Sequence, residues 1–370
     1  MKKIVSTIGA LALTATAAQA GGIDRSGQSM GALFEKGRYL EFSVARVNPK
    51  LVGTDVALFG GRTTGEVAGS FTQLGFAYKY DINEKLSFAL IVDQPFGANI
   101  LYGATSVALG GTQATANTTA VTGLLRYKLG NGFSVHGGPR YQRASGNIDL
   151  RGAAYGGLNG YSVDLAQDSA LGYSVGVAYE KPEIALRVAL TYNSAITHNF
   201  STTETFRGVQ VAPTGITKVR TPESVNLDFQ SGVAKDTLVF GSIRWAHWTQ
   251  FKIDPAFFTP RAGGGLVSLE NSVTYTLGVG RKFNDTWSGA FSMTYEKEKN
   301  PLVSPLAPST GRLGAAIAAV YTRDNLKITT GISYSKLGDA SAETGTPDTA
   351  RANFNNNSAL GVGIKFGYSF

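Results

Sequence analysis

Five residues of this chain spell a nucleophile motif. Gly172-Tyr173-Ser174-Val175-Gly176 has the G-x-S-x-G pattern, in which a serine on a sharp strand-to-helix turn attacks an ester. Here the pentad lies inside an alternating segment, with Tyr173 and Val175 on one side and Ser174 on the other. That context predicts small residues on the wall of a sheet. The three histidines, His136, His198 and His247, form no i, i+4 pair, so no zinc helix is expected. Cysteine is absent, which excludes disulfides, iron–sulfur clusters and thiolate-bound zinc. Gly278-Val279-Gly280 and Gly361-Val362-Gly363 are strand glycines and no phosphate cradle. The residues assemble no catalytic, metal or cofactor site, and the expectation is a protein that is not an enzyme.

The remaining polar chemistry sits on alternating segments. Arg126, Lys128, Arg140, Arg187, Arg244, Lys327 and Lys365 face the same side as Glu41, Asp228, Glu180 and Glu296. Two readings are open: a basic path for an anionic amphiphile, or a self-neutralising network on the inside of a wall. With 34 Lys+Arg against 26 Asp+Glu the formal net charge is +8. No basic helix or aromatic platform accompanies it, so nucleic acid is not the expected partner. Contact with anionic outer-membrane lipid and lipopolysaccharide is.

The elements that carry these residues are strands. Leu360–Phe370 reads L-G-V-G-I-K-F-G-Y-S-F, with Leu360, Val362, Ile364, Phe366, Tyr368 and Phe370 on one face. Period-two alternation is strand geometry. An apolar outward face against a small, polar inward face, ending on Phe, is the pattern of outer-membrane barrels, and Phe370 is the expected handle for the barrel-assembly machinery. At the other end Lys2, Lys3, an apolar stretch from Ile4 to Leu13, and Ala18-Gln19-Ala20 read as a secretory signal peptide over 1–20.

Alternation recurs over 39–48, 71–80, 86–95, 119–129, 133–143, 170–180, 184–193, 223–233, 237–248, 271–283, 286–296, 312–322, 325–336 and 358–370. Short links such as Gly130–Gly132 and Asn284–Asp285 alternate with long ones, as turns and extracellular loops do in such barrels. The fold expected is all-β: a 14-stranded antiparallel transmembrane β-barrel over 39–370, with a short plug segment over 21–38. The chain is expected in the bacterial outer membrane as a monomer. Aromatic residues gather at both strand ends, including Phe133, Phe283 and Trp287 on the turn side, with Tyr141, Tyr173 and Trp245 on the loop side. Pro95-Phe96-Gly97 interrupts the third strand, because proline cannot donate to a ladder and glycine packs nothing. Such a break can open a lateral gate.

Several blocks resemble one family. Asp93-Gln94-Pro95-Phe96-Gly97, Gly138-Pro139-Arg140-Tyr141-Gln142-Arg143-Ala144, Thr221-Pro222-Glu223 and Trp245-Ala246-His247-Trp248-Thr249-Gln250-Phe251 are similar to segments of the FadL family. These are outer-membrane transporters of long-chain fatty acids, with relatives that pass aromatic hydrocarbons. The resemblance implies ligand capture between the loops at Ser145–Ser169 and Ser194–Thr221. It then implies passage to an apolar pocket and lateral exit at Pro95, Phe96 and Gly97 as an N-terminal hatch moves. It puts a carboxylate-binding role on Arg143; Arg140 and the loop residues Phe257 and Phe258 complete the expected ligand contacts. The family's hatch is longer and carries Asn-Pro-Ala, whereas only Gly21–Gly37 precedes the first strand here. Passive uptake of a long-chain fatty acid or similar hydrophobic molecule is the leading expectation. A general porin for small polar solutes is the alternative, and measurable bilayer conductance would distinguish it.

Overall fold

Alternating apolar and polar residues bury one face of a strand only if the other can meet lipid, and closure removes the unpaired edges. The chain satisfies both conditions. A computed structural model describes Ile23–Phe370; the leader assigned to 1–20 lies outside the described residues. Fourteen antiparallel strands form the wall: β1 (Tyr39–Lys50), β2 (Phe71–Asp81), β3 (Leu86–Asp93, resuming as Gly97–Leu101), β4 (Gln113–Gly130), β5 (Phe133–Asp149), β6 (Tyr161–Lys181) and β7 (Leu186–Asn193, resuming as Ile196–Phe206). There follow β8 (Ser224–Ala234), β9 (Thr237–Ala246), β10 (Ser272–Lys282), β11 (Trp287–Glu296), β12 (Thr310–Arg323), β13 (Leu326–Gly338) and β14 (Ser358–Ser369). Each strand pairs with the next, and β1 closes on β14 from Tyr39↔Ser369 to Lys50↔Ser358.

The faces sort as alternation demands. Leu125, Tyr127 and Leu129 point outward and are exposed, whereas Thr122, Leu124 and Arg126 on the alternate positions are buried inside. Outward aromatics ring both ends of the wall: Tyr141, Tyr173, Tyr275, Tyr295 and Tyr334 on the loop side, and Tyr80, Phe133, Phe283, Trp287 and Tyr368 on the turn side. Rings with one polar tip favour these two interfaces. The spacing predicts β4, β5 and β6 as 119–129, 133–143 and 170–180, yet each runs further past the loop-side girdle. There the outward residues are polar as well, for example Thr115, Asn117 and Thr119 on β4, so the contrast that marks a lipid-facing strand disappears while the ladder continues.

Above the girdle the long connections fold inward over the barrel mouth. A five-stranded sheet joins Leu302–Val303, Ala340–Thr344, Thr349–Phe354, Val52–Asp55 and Thr63–Glu66. Buried Asp55 knits it to the loop after β3, accepting hydrogen bonds from Ser106 Oγ (2.7 Å) and the Val107 and Ala108 amides (2.7 and 3.1 Å). The main apolar core sits here and not in mid-barrel: Tyr102, Leu109, Phe200, Val219, Trp248, Phe251, Phe258 and Phe354 belong to it.

Candidate functional site

Three features meet at the loop-side half of β3: a gap in the wall, a segment that covers it, and an apolar chamber. The gap follows from the break at Pro95. Pairing of β2 with β3 runs from Asp81↔Ser87 to Phe76↔Val92 and then stops. Strand β3 keeps its other partner, since Asp93↔Ala120 is followed by Gly97↔Asn117 with one extra residue on the β3 side. Phe71–Gly75 of β2 therefore pairs with β1 alone. Contact across the gap resumes only higher up, at the Gly69 amide to Asn99 O (2.8 Å) and the Ala68↔Ile100 bridge. A side-chain strut spans it: Gln94 Oε1 accepts from the Leu74 amide at 2.9 Å.

The N-terminal residues lie along the inner side of this gap. Asp24 bridges Phe96, the Arg25 amide donates to Pro95 O (2.8 Å), and the Gly97 amide donates to Ile23 O (2.9 Å). The segment supplies the strand-like partner that β2 does not. Arg25 lays its guanidinium over the Phe71 ring at 4.1 Å. It packs so closely on Gly97 that a Cβ there would fall 2.3 Å from Arg25 Cζ, so a larger residue would have to push the guanidinium aside. Ser26 donates to Asp93.

From there the segment crosses the lumen. Arg244 Nε on β9 holds Asp24 at 2.7 Å, Asn226 on β8 donates to Gly27 O at 2.8 Å, and Ser224 donates to Gln28 at 2.7 Å. Met30, Ala32 and Leu33 then pack on Ala77, Ala89, Ile91 and Leu124 of the wall. Phe34 is clasped by Arg126 and Arg187, whose guanidinium carbons lie 4.6 and 4.8 Å from its ring centre. Gly37 is held by Lys79 Nζ (3.0 Å) and Asp81 (2.9 Å) before β1 begins.

Above the segment lies a chamber of about 80 Å³, lined by Ile23, Phe96, Ala98, Ala116, Ile148, Leu165, Phe200, Val219, Phe251, Ile253 and Leu306 among others. No charged side chain lines it. Its polar lining residues are Thr115, Thr118, Ser145 and Thr221; the hydroxyl of Thr118 is occupied by the Phe96 backbone and that of Thr221 by Ile196 O. Beneath the segment the lumen changes character. Charged cavities of about 820 and 630 Å³, lined by residues including Glu35, Lys36, Glu180, Lys128 and Lys282, open toward the turns.

A family profile described as outer membrane protein transport protein (OMPP1/FadL/TodX) matches residues 40–370. The chain belongs to that family. Its members are transport proteins of the bacterial outer membrane and not enzymes. Several solved structures share the fold. A Pseudomonas aeruginosa FadL homologue has a TM-score of 0.71 at 14% identity, over 92% of each chain. The Pseudomonas putida toluene transporter TodX (TM-score 0.65, 13% identity) and the Ralstonia pickettii toluene transporter TbuX (0.62, 13%) each cover 92% of this chain and 91% of their own. By sequence, the chain matches no curated protein.

Against the expectations drawn from the FadL family, the structure gathers some residues and separates others. Pro95, Phe96 and Gly97 form the break itself, and Phe96 also lines the chamber. Arg140 points inward at 1% exposure, 3.6 Å from Asp93, with its Nε and Nη2 making no hydrogen bond among the described residues. Arg143 stands on the opposite, outward face and is exposed; alternation with Tyr141 already places it there. Phe257 and Phe258 sit above the chamber, where both amides donate to buried Glu204 at 2.9 to 3.1 Å and Phe257 stacks on Tyr161. Ser174 is buried, donates to Asn193 at 2.7 Å, and has no histidine partner. Most lumen charges are paired, as in Arg126–Glu180, Lys365–Glu41 (3.3 Å) and Arg312–Glu296 (3.9 Å). Asp24, Arg25 and Phe71 were not legible as site residues, because only the path of the N-terminal segment brings them together.

Proposed function

We propose that this chain passes small uncharged hydrophobic molecules across the outer membrane by passive diffusion, through the apolar chamber and out sideways between β2 and β3. The observation that carries this reading is the chamber: uncharged throughout and lined on one side by Phe96 of the strand break. Burying apolar surface stabilises a ligand by roughly 25 cal/mol per Å² without any specific polar contact. Engineered aliphatic cavities of roughly 150 Å³ take up benzene, so the chamber of about 80 Å³ must widen by side-chain movement to hold even a single small ring. Toluene, after which two of the similar transporters are named, has that chemistry. The charged cavities below the N-terminal segment offer such a molecule a poor route, which favours exit into the membrane through the gap.

A long-chain fatty acid is the second reading, carried by Arg140. Its Nε and Nη2 make no hydrogen bond among the described residues and would suit a carboxylate if the N-terminal segment moved aside. Uptake of radiolabelled toluene and oleate by cells lacking their own transporters separates the two. Toluene entry that persists in Arg140→Ala supports the diffusion channel. Oleate entry that depends on Arg140 transfers the assignment to the fatty acid, and large bilayer conductance with neither would restore the porin reading.

A further inference from the structure

The outer face of the wall carries a basic cluster that transport does not use. On β13, β14 and β1 the register aligns Lys336 with Ser358 and Ser358 with Lys50, so the two lysines flank one serine on neighbouring strands. Four register positions below, which is two outward-facing rows, Ile332, Val362, Arg46 and Thr72 lie side by side across β13, β14, β1 and β2. Arg46, Lys50 and Lys336 are all exposed on the outward face. Arg46 donates to Thr72 Oγ1 (3.1 Å) and to Ser70. Among the described residues neither lysine has a carboxylate within ion-pair distance. The acids nearest in sequence are engaged elsewhere: Asp55 is buried on Ser106 and the Val107 and Ala108 amides, and Asp339 accepts from the Asn356 amide.

Height on the wall decides what meets this cluster. Lys336 stands immediately beyond Tyr334, the outermost exposed aromatic of β13, at 57% exposure. Below the two lysines the same strands expose Phe42, Val362, Ile332 and Phe366. Cations stacked above an apolar wall match an amphiphile with phosphate at its head and several acyl chains below. We propose that Lys50 and Lys336 bind the phosphate of a phosphorylated glycolipid of the outer leaflet, the lipid A moiety of lipopolysaccharide, with Arg46 lower down against its flank. Two lysines astride Ser358 grip the phosphate, the serine hydroxyl is placed to donate to it, and Arg46 holds the lipid's flank against β2. Because β2 borders the gap, the chains of this lipid form the first apolar medium that a laterally released molecule enters. The site itself stands whether or not exit is lateral.

The test uses the full barrel in detergent, with bound lipid followed by native mass spectrometry. Wild-type protein is expected to retain one bisphosphorylated lipid A. Each lysine near an anionic surface contributes about a fivefold gain in affinity, so Lys50→Gln/Lys336→Gln should weaken binding about 30-fold. Lys50→Arg/Lys336→Arg should retain it, and Lys181→Gln at the turn side should not alter it. Heat-modified gel mobility confirms that each variant is a closed barrel. Equal binding of dephosphorylated lipid A, unchanged affinity in the glutamine pair, or displacement by equimolar inorganic pyrophosphate would each overturn the assignment.

Discussion

Two seams of the same barrel behave in opposite ways. Strands β5 and β6 pair from Phe133↔Tyr179 to Asp149↔Ser162 with one irregularity. Strands β2 and β3 begin as regularly at Asp81↔Ser87 and stop at Phe76↔Val92. Both seams contain glycine and both have a proline nearby, Pro139 on β5 and Pro95 after β3. The consequences differ because Pro139 still lies in register with Tyr173, whereas Pro95 falls where β3 gains an extra residue against β4. Opening a membrane barrel thus takes proline combined with a shift in register, and a second segment to satisfy the freed backbone groups. Ile23–Arg25 does that here.

The contrast can be broken most forcefully by turning the open seam into a closed one. The chain has no cysteine, so Leu74→Cys with Gln94→Cys, placed where the strut now spans the gap, gives a clean reversible lock. Oxidised, it should lower hydrophobic uptake at least about tenfold if the gap gates exit, with recovery on reduction. The matching pair Tyr141→Cys/Leu171→Cys on the paired seam should leave uptake unchanged. Uptake indifferent to the first lock would remove the lateral route.

Next in size is Gly97→Val. Its side chain must occupy the space of the Arg25 guanidinium, displacing it from Phe71, and should loosen Ile23–Ser26 in the gap. Single-channel recording checks this: conductance should rise above that of the wild type. Phe34→Ala should act in the same direction more weakly, since it removes two cation–π contacts of about 0.5–2 kcal/mol each while leaving the bridge at Phe96 in place.

A smaller effect concerns pH. In the loop hairpin beyond β13, burial and then the hydrogen bond and charge of Asp348 push the Glu343 carboxyl up to about 7. The folded hairpin therefore binds a proton more tightly than the unfolded chain. Its stability is fully present below the ordinary carboxylate range and declines as pH rises from there toward about 7. Hydrogen-exchange protection of Ala340–Phe354, measured against the intrinsic exchange rate at each pH, should fall across that window, and Glu343→Gln should flatten the response. The smallest effect of all is expected for Ser174→Ala: no change in uptake and no esterase activity to lose.

How much of this was written in the sequence depends on whether one strand suffices to show it. The fourteen strands, their faces and the break at Pro95 are local, because lipid outside and small polar residues inside impose contrast every second residue. Where β4 to β6 rise past the girdle the outward side meets water, contrast fades, and their ends were missed. Arg143 is instructive: its own parity with Tyr141 places it outward, and only the family resemblance drew it toward the ligand. Arg25 leaves no local trace at all, since its role exists through Phe71 and Gly97, distant in sequence. The chamber is likewise assembled from five separate connections and an N-terminal isoleucine.

The seating of Ile23–Arg25 against Pro95–Gly97 has a consequence for how this barrel is built. The segment that crosses the lumen is joined directly to β1, and β1 must zip to β14, the most distant pairing in the chain and the slowest kind to form. When that seam is drawn shut with the segment inside, the barrel encloses its own N-terminal residues.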